Sequence, residues 1–262
     1  MKENLNKSLK IALIQSILHW ENPLANREMF GNKIEQIVES VDIVVLPEMF
    51  TTGFTMSPGN IDKNEGLITL DWMKKMASTH NSAITGSIVF HEDGKYYNRL
   101  FFVEPSGDYQ SYDKRHTFTL AGEDKEYTAG TDRLLLLYKG FTICPLVCYD
   151  LRFPVWSRNT ENFDVLLYTA NWPTPRVNAW DALLKARAIE NMVYCIGVNR
   201  IGEDEVGHKY PGHSSVYDPL GKLVVLSEKE ETSIVEVFKN EIDDVRNKLR
   251  FLDDRDEFTL LN

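Results

Sequence analysis

Residues 43–46, Ile-Val-Val-Leu, are apolar at every position, and Pro47 stops the run. A strand with one wet face alternates polar and apolar residues. A run that does not alternate reads as a short strand covered on both faces. Such a strand needs neighbours, and the rest of the chain supplies them. Further strands are expected at 9–15, 83–90, 96–103, 134–137, 141–147, 165–169, 193–198, 214–217, 223–226 and 234–237. The Asp93-Gly94 and Lys139-Gly140 pairs read as hairpin turns. Apolar residues at helical spacing predict helices over 24–41, 67–80 and 179–191, with shorter ones over 155–159 and 242–249. Strands alternate with helices early, with hairpins interspersed, and no repeat or linker interrupts them. This predicts an α/β fold with mixed sheets layered by helices, in one domain spanning residues 1–262.

The bulk properties narrow the partners. Asp plus Glu number 39 against 29 Lys plus Arg, a formal net charge of -10. That argues against nucleic acid or an anionic membrane as the main partner. A small anionic substrate is still compatible, because a pocket can be locally basic. Lys2, Lys7 and Lys10 before an apolar run resemble the start of a secretory signal, but Gln15 and Ser16 break the run and no small-residue cleavage site follows. A first buried strand is the better reading, and no run reaches the ~20 apolar residues of a membrane span. Three cysteines, Cys144, Cys148 and Cys195, are too few for a disulfide framework and fit a reducing, cytoplasmic setting. Cys144 and Cys148 lack a second pair of ligands for a metal.

Three segments share a pattern: an apolar or extended run ends abruptly in a reactive side chain. Val44-Val45-Leu46-Pro47 delivers Glu48, Tyr112-Asp113 delivers Lys114, and Ile143 to Val147 delivers Cys148. Active sites of α/β sheets gather at strand ends. A cysteine attacks as thiolate, a carboxylate can take its proton, and an ammonium can hold the oxyanion of carbonyl attack. Together they support acyl transfer through a thioester. Taken singly, each has an ordinary reading: Cys148 as an inert core thiol, Glu48 as a helix-start carboxylate, Lys114 as part of a solvated charge run.

Six segments in sequence resemble the nitrilase superfamily of carbon–nitrogen hydrolases. They are Leu46-Pro47-Glu48-Met49-Phe50, Asp113-Lys114-Arg115-His116, Cys148-Tyr149-Asp150-Leu151-Arg152-Phe153-Pro154, Ala170-Asn171-Trp172-Pro173, Ala186-Arg187-Ala188-Ile189-Glu190-Asn191, and Gly212-His213-Ser214 with Asp218-Pro219-Leu220-Gly221. The resemblance implies a four-layer α-β-β-α sandwich, with Glu48 as base, Lys114 as oxyanion-side cation and Cys148 as nucleophile. A second carboxylate would fall at Glu123, with Glu126 as its rival, and the Tyr149 N–H would complete the oxyanion hole. It further implies no metal and no organic cofactor, and a homodimer or larger homo-oligomer. Lys-Arg-His-x-Phe, Cys-Tyr-Asp-Leu-Arg-Phe-Pro and Ala-Asn-Trp-Pro look most like the omega-amidase group, which deamidates ω-amides of 2-oxo dicarboxylates such as 2-oxoglutaramate. A small carboxylated amide would need a cation in the pocket, Arg176 or Arg115, and Trp172 and Phe118 are candidate walls. Arg187 and Glu190 read as a structural pair or an interface contact. N-carbamoyl compounds, nitriles and other linear amides are alternative substrates, and a non-catalytic binding member of the fold is the alternative of another class.

Overall fold

The computed structural model describes residues 7–259, so Lys2 of the N-terminal basic run lies outside them. The elements in order are β1 Ser8–Gln15, α1 Pro23–Glu35, β2 Ile43–Val45, α2 Glu65–His80, β3 Ala83–Glu92, β4 Lys95–Val103, β5 Tyr109–Asp113, α3 Glu123–Glu126, β6 Leu136–Tyr138 and β7 Phe141–Val147. There follow β8 Val165–Ala170, α4 Val177–Asn191, β9 Tyr194–Asn199, β10 Ile201–Glu203, β11 Lys209–Pro211, β12 Ser214–Tyr217, β13 Leu223–Ser227, β14 Glu231–Phe238 and α5 Lys239–Leu249. One six-stranded sheet has the order β14-β1-β2-β3-β4-β5 and the other β13-β12-β9-β8-β7-β6. Each is mixed: β1-β2-β3 and β7-β8-β9 are parallel, and the strands flanking them are antiparallel.

The apolar strands explain the layers. Leu9, Ile11 and Leu13 of β1 point into a core shared with Ile143, Val165, Leu167 and Ile196 of the other sheet. The alternate residues Ala12 and Ile14 point the other way, onto Phe30 and Ile34 of α1 and Met73 and Ala77 of α2. In the second sheet Leu166, Tyr168 and Cys195 turn outward onto Trp180, Leu184 and Ala188 of α4. Successive side chains of a strand face opposite ways, so a run without alternation fills two cores at once. The result is the expected stack of helix, sheet, sheet and helix. Asp93 and Gly94 have φ of 49° and 75°, and Lys139 and Gly140 have 47° and 84°. These are the left-handed pairs that two-residue hairpins need.

Two expectations are corrected, and one element is new. The first helix ends at Glu35 rather than at 41, and Val38 is fully exposed. The Asp42 N–H donates to Lys10 O at 2.7 Å, so the chain must already be extended there to pair β2 with β1. Residues 155–157 lie in a turn and 158–159 are irregular, so no helix forms there. The Asn159 side chain instead bonds Phe163 O and Asn191 O, tying the segment to the end of α4. The helical turn lies earlier, as a 3₁₀ turn over Cys148–Arg152. The small β10–β11 hairpin was not anticipated, because each of its strands is only three residues long.

Candidate active site

The ends of β2, β5 and β7 converge. Just past β2, Glu48 is fully buried and the next residue, Met49, has φ 43°. Its N–H donates to Ser87 Oγ at 2.9 Å, which fixes the bend. Lys114 follows β5, with its N–H on Asn98 O at 3.0 Å and its carbonyl accepting from Gly130 N at 2.9 Å. A Cβ at Gly130 would lie 2.2 Å from Asp113 O, so only glycine allows this approach. Cys148 follows β7 with φ 45°, a left-handed conformation that a non-glycine residue holds only under constraint.

Lys114 Nζ donates to Glu48 Oε1 at 2.9 Å and to Glu123 Oε2 and Oε1 at 2.8 and 3.0 Å. All three groups are essentially inaccessible to solvent. The Asn98 side chain adds a bond to each carboxylate, 2.8 Å to Glu48 and 3.1 Å to Glu123. The Phe118 N–H donates to Glu123 Oε2 at 2.6 Å. Glu48 Oε2 accepts from Asn171 N at 2.8 Å, and the Asn171 amide returns a bond to Glu48 O. Burial alone would lower the Lys114 pKa, but Glu123 and Glu48 outweigh it and hold the ammonium above its ordinary value. Burial pushes the Glu123 carboxyl up, opposed by Lys114. Burial also pushes the Cys148 thiol well up, and the Glu48 charge and a hydrogen bond to it act in the same direction. These effects favour the neutral thiol of Cys148 over its thiolate.

Glu123 opens the four-residue α3 and points inward, whereas Glu126 is exposed, so of the two rival carboxylates only Glu123 reaches the site. Cys148, Lys114, Tyr149, Trp172, Phe118 and Arg176 line one cavity of about 370 Å³. Arg115 does not: its guanidinium bonds Gly130 O at 3.1 Å and lies over Trp156. His116 also lies outside the cavity, with Nδ1 2.8 Å from Asp150. Arg187 and Glu190 pair at 2.8 Å, and Arg187 also donates to Leu151 O, binding α4 to the turn that carries Cys148.

Several lining residues were not anticipated. Arg152 sits in the cavity with its guanidinium 4.9 Å from the Trp172 ring centroid, as Arg176 stands over Phe118 at 5.2 Å. Neither has a carboxylate partner among the described residues, and no Asp or Glu lines the cavity. The β10–β11 hairpin brings Val206, His208 and Tyr210 to the mouth. The Asn171-Trp172 wall is held from behind: Trp172 N bonds Asn199 Oδ1 at 2.7 Å, Asn199 N bonds Ser214 Oγ, and Ser214 Oγ bonds Gln15 Oε1. That chain gives the Gly212-His213-Ser214 segment its place. Asn98 had one available signal, a polar residue inside the strand paired with the run leading to Lys114.

Among the described residues no group of three His, Cys, Asp or Glu is arranged to hold a metal, and no helix is long and apolar enough to cross a membrane. The family model for carbon-nitrogen hydrolases matches residues 10–247. Omega-amidase YafV of Escherichia coli K12 is 41% identical over 254 residues, covering 96% of this chain and 98% of that protein. The 2-oxoglutaramate amidase of Bacillus subtilis is 31% identical, covering 93% and 96%. The crystal structure of XC1258 from Xanthomonas campestris, a CN-hydrolase superfamily protein with an arsenic adduct in its active site, superposes with a TM-score of 0.93 at 38% identity, covering 97% and 99%. A four-layer sandwich, three strand ends meeting at a carboxylate, an ammonium and a thiol, and a match over nearly the whole length agree: this chain belongs to the carbon-nitrogen hydrolase family.

Proposed function

We propose that the chain is an ω-amidase that releases ammonia from a small carboxylated amide, such as 2-oxoglutaramate or 2-oxosuccinamate, through a thioester on Cys148. Lys114 carries this reading: its ammonium bridges Glu48 and Glu123 in a cavity that also holds the thiol. Glu48 takes the Sγ proton as sulfur attacks the amide carbon. The oxyanion is held by Lys114 and by the Tyr149 N–H, which stands in the first turn of a 3₁₀ segment where amides have no intrahelical acceptor. Glu48 then passes its proton to the leaving nitrogen, and the C–N bond breaks to free ammonia. Water, deprotonated by Glu48, attacks the thioester; the C–S bond breaks, the acid leaves, and Cys148 regains its proton. Glu123 keeps Lys114 charged and aimed.

Arg176 and Arg152 supply the charge for the substrate's distal carboxylate, and Trp172 and Phe118 support their planes. The names carried by the relatives favour the same substrate class. The three cysteines are unpaired and buried, in keeping with a reducing, cytoplasmic setting. The resemblance implies a homodimer or larger homo-oligomer, which light scattering checks. The test of function is an ammonia assay over ω-amides, N-carbamoyl compounds and nitriles, with intact-mass detection of a thioester on Cys148. Turnover of ω-amides, abolished by Cys148→Ala, supports the reading; turnover confined to another class, or surviving in Cys148→Ala, overturns it.

A further inference from the structure

Asp150 is fully buried and takes no direct part in the chemistry above, yet it joins the two segments that carry Lys114 and Cys148. Its Oδ2 accepts from the N–H of Val147, the residue before the nucleophile, at 3.0 Å, and from the Tyr112 hydroxyl at 2.8 Å. Its Oδ1 accepts from the His116 N–H at 3.0 Å and lies 2.8 Å from His116 Nδ1. Tyr112 and His116 stand two residues before and two after Lys114. The Tyr112 oxygen in turn accepts from Arg115 N at 3.1 Å and Trp156 Nε1 at 3.0 Å. The imidazole of His116 lies flat on Phe153, 3.7 Å between centroids and 4° between planes, which closes the link on the far side of the nucleophile turn. No Lys or Arg neutralises Asp150 among the described residues.

We propose that Asp150 is a positioning residue for catalysis: by receiving both strand ends on one carboxylate, it sets where Lys114 stands relative to the Cys148 thiol. Two observations argue for this role over simple core filling. Cys148 has φ 45°, a conformation that needs outside constraint, and the Val147 bond applies it one residue away. The four donor atoms within reach of Asp150 come only from residues 112, 116 and 147, all within two positions of Lys114 or Cys148. A carboxylate accepts at both oxygens, whereas an amide of the same shape accepts at one and presents N–H groups at the other. Asp150→Asn therefore turns one end of the clamp from attraction to donor–donor opposition while changing little volume.

The inference rests on Cys148 and Lys114 acting as proposed, and Cys148→Ala is assayed beside it to separate the two. In Asp150→Asn, kcat per titratable Cys148 is expected to fall by roughly 10- to 100-fold with KM within about threefold of wild type, the signature of a displaced reacting group. The loss should be shared by thioester formation in a single turnover. Tyr112→Phe removes one donor and keeps the rest, so a smaller fall in kcat, again without a change in KM, is expected. A merely structural role predicts a lower melting temperature with wild-type kcat per titrated thiol; that result in Asp150→Asn, with Cys148→Ala inactive, overturns the inference alone. Should Asp150→Asn fail to fold, unchanged kcat in Tyr112→Phe overturns it and a reduced kcat supports it. Activity surviving in Cys148→Ala overturns the catalytic reading and this inference with it.

Discussion

Lys114 stands between two buried carboxylates, and its removal has two separable consequences. On the proposed mechanism the oxyanion would lose a charged donor, and Glu48 and Glu123 would be left buried without their counter-charge. Lys114→Ala should lower kcat/KM by at least about a hundredfold and destabilise the fold by about 3–5 kcal/mol, read by ammonia release and by urea unfolding. Wild-type turnover in this variant would reject the oxyanion role. Cys144 stands four positions before Cys148 in the same apolar cluster but away from Glu48 and Lys114. Cys144 faces α4 from the middle of β7, and burial pushes its thiol from 9.0 to about 12. Its raised pKa implies a stability contribution that is full below 9.0 and is lost as pH climbs toward about 12, because the unfolded thiol ionises first. Cys144→Ala should therefore unfold less steeply on the alkaline side than wild type, by about 1.4 kcal/mol per pH unit, in denaturant melts across that window.

At the scale of elements, α4 packs closely on β9. Gly197 lies beneath the helix, and a Cβ there would stand 2.5 Å from Leu184 and 2.6 Å from Trp180. Neither side chain can move freely, since both are fully buried and Trp180 Nε1 bonds His213 O at 2.8 Å. Gly197→Ala should cost about 1–3 kcal/mol by overpacking, seen as a lower urea midpoint. Arg187 of α4 also holds Leu151 O, so the same substitution should lower kcat by disturbing the nucleophile turn. An unchanged midpoint would show that the helix can shift freely. The β10–β11 hairpin is built differently. Asp204 accepts from Val206 N, His208 N and the Tyr210 hydroxyl, so the hairpin is a local structure laid over the cavity mouth.

On the whole molecule, charge is distributed against the average. The chain carries a net -10, yet among the described residues the cavity lining holds two guanidiniums without a carboxylate partner and no Asp or Glu. Arg176→Ala and Arg152→Ala should raise KM for a carboxylated ω-amide by about tenfold or more, at 1.4 kcal/mol per decade, and leave a neutral amide of the same length little changed. Equal loss on both substrates would remove the carboxylate-binding role. Much of this was legible in the chain itself. The non-alternating run at 43–46 requires cover on two sides, and strands ending in Glu48, Lys114 and Cys148 bring reactive groups to sheet ends, because strand periodicity is a local property. The carboxylate beside Lys114 was only ranked there: the resemblance favours Glu123 with Glu126 as a near rival, and the turn of α3 decides between them by burying one and exposing the other. The partners of Glu48, Asn98 and Asn171, stand 50 and 123 positions away from it. Arg115 and Arg152 exchange places for the same reason. Which arginine faces the cavity depends on how the end of β5 meets the turn after β7, and that meeting is set by bonds across the two sheets rather than by any neighbour in sequence.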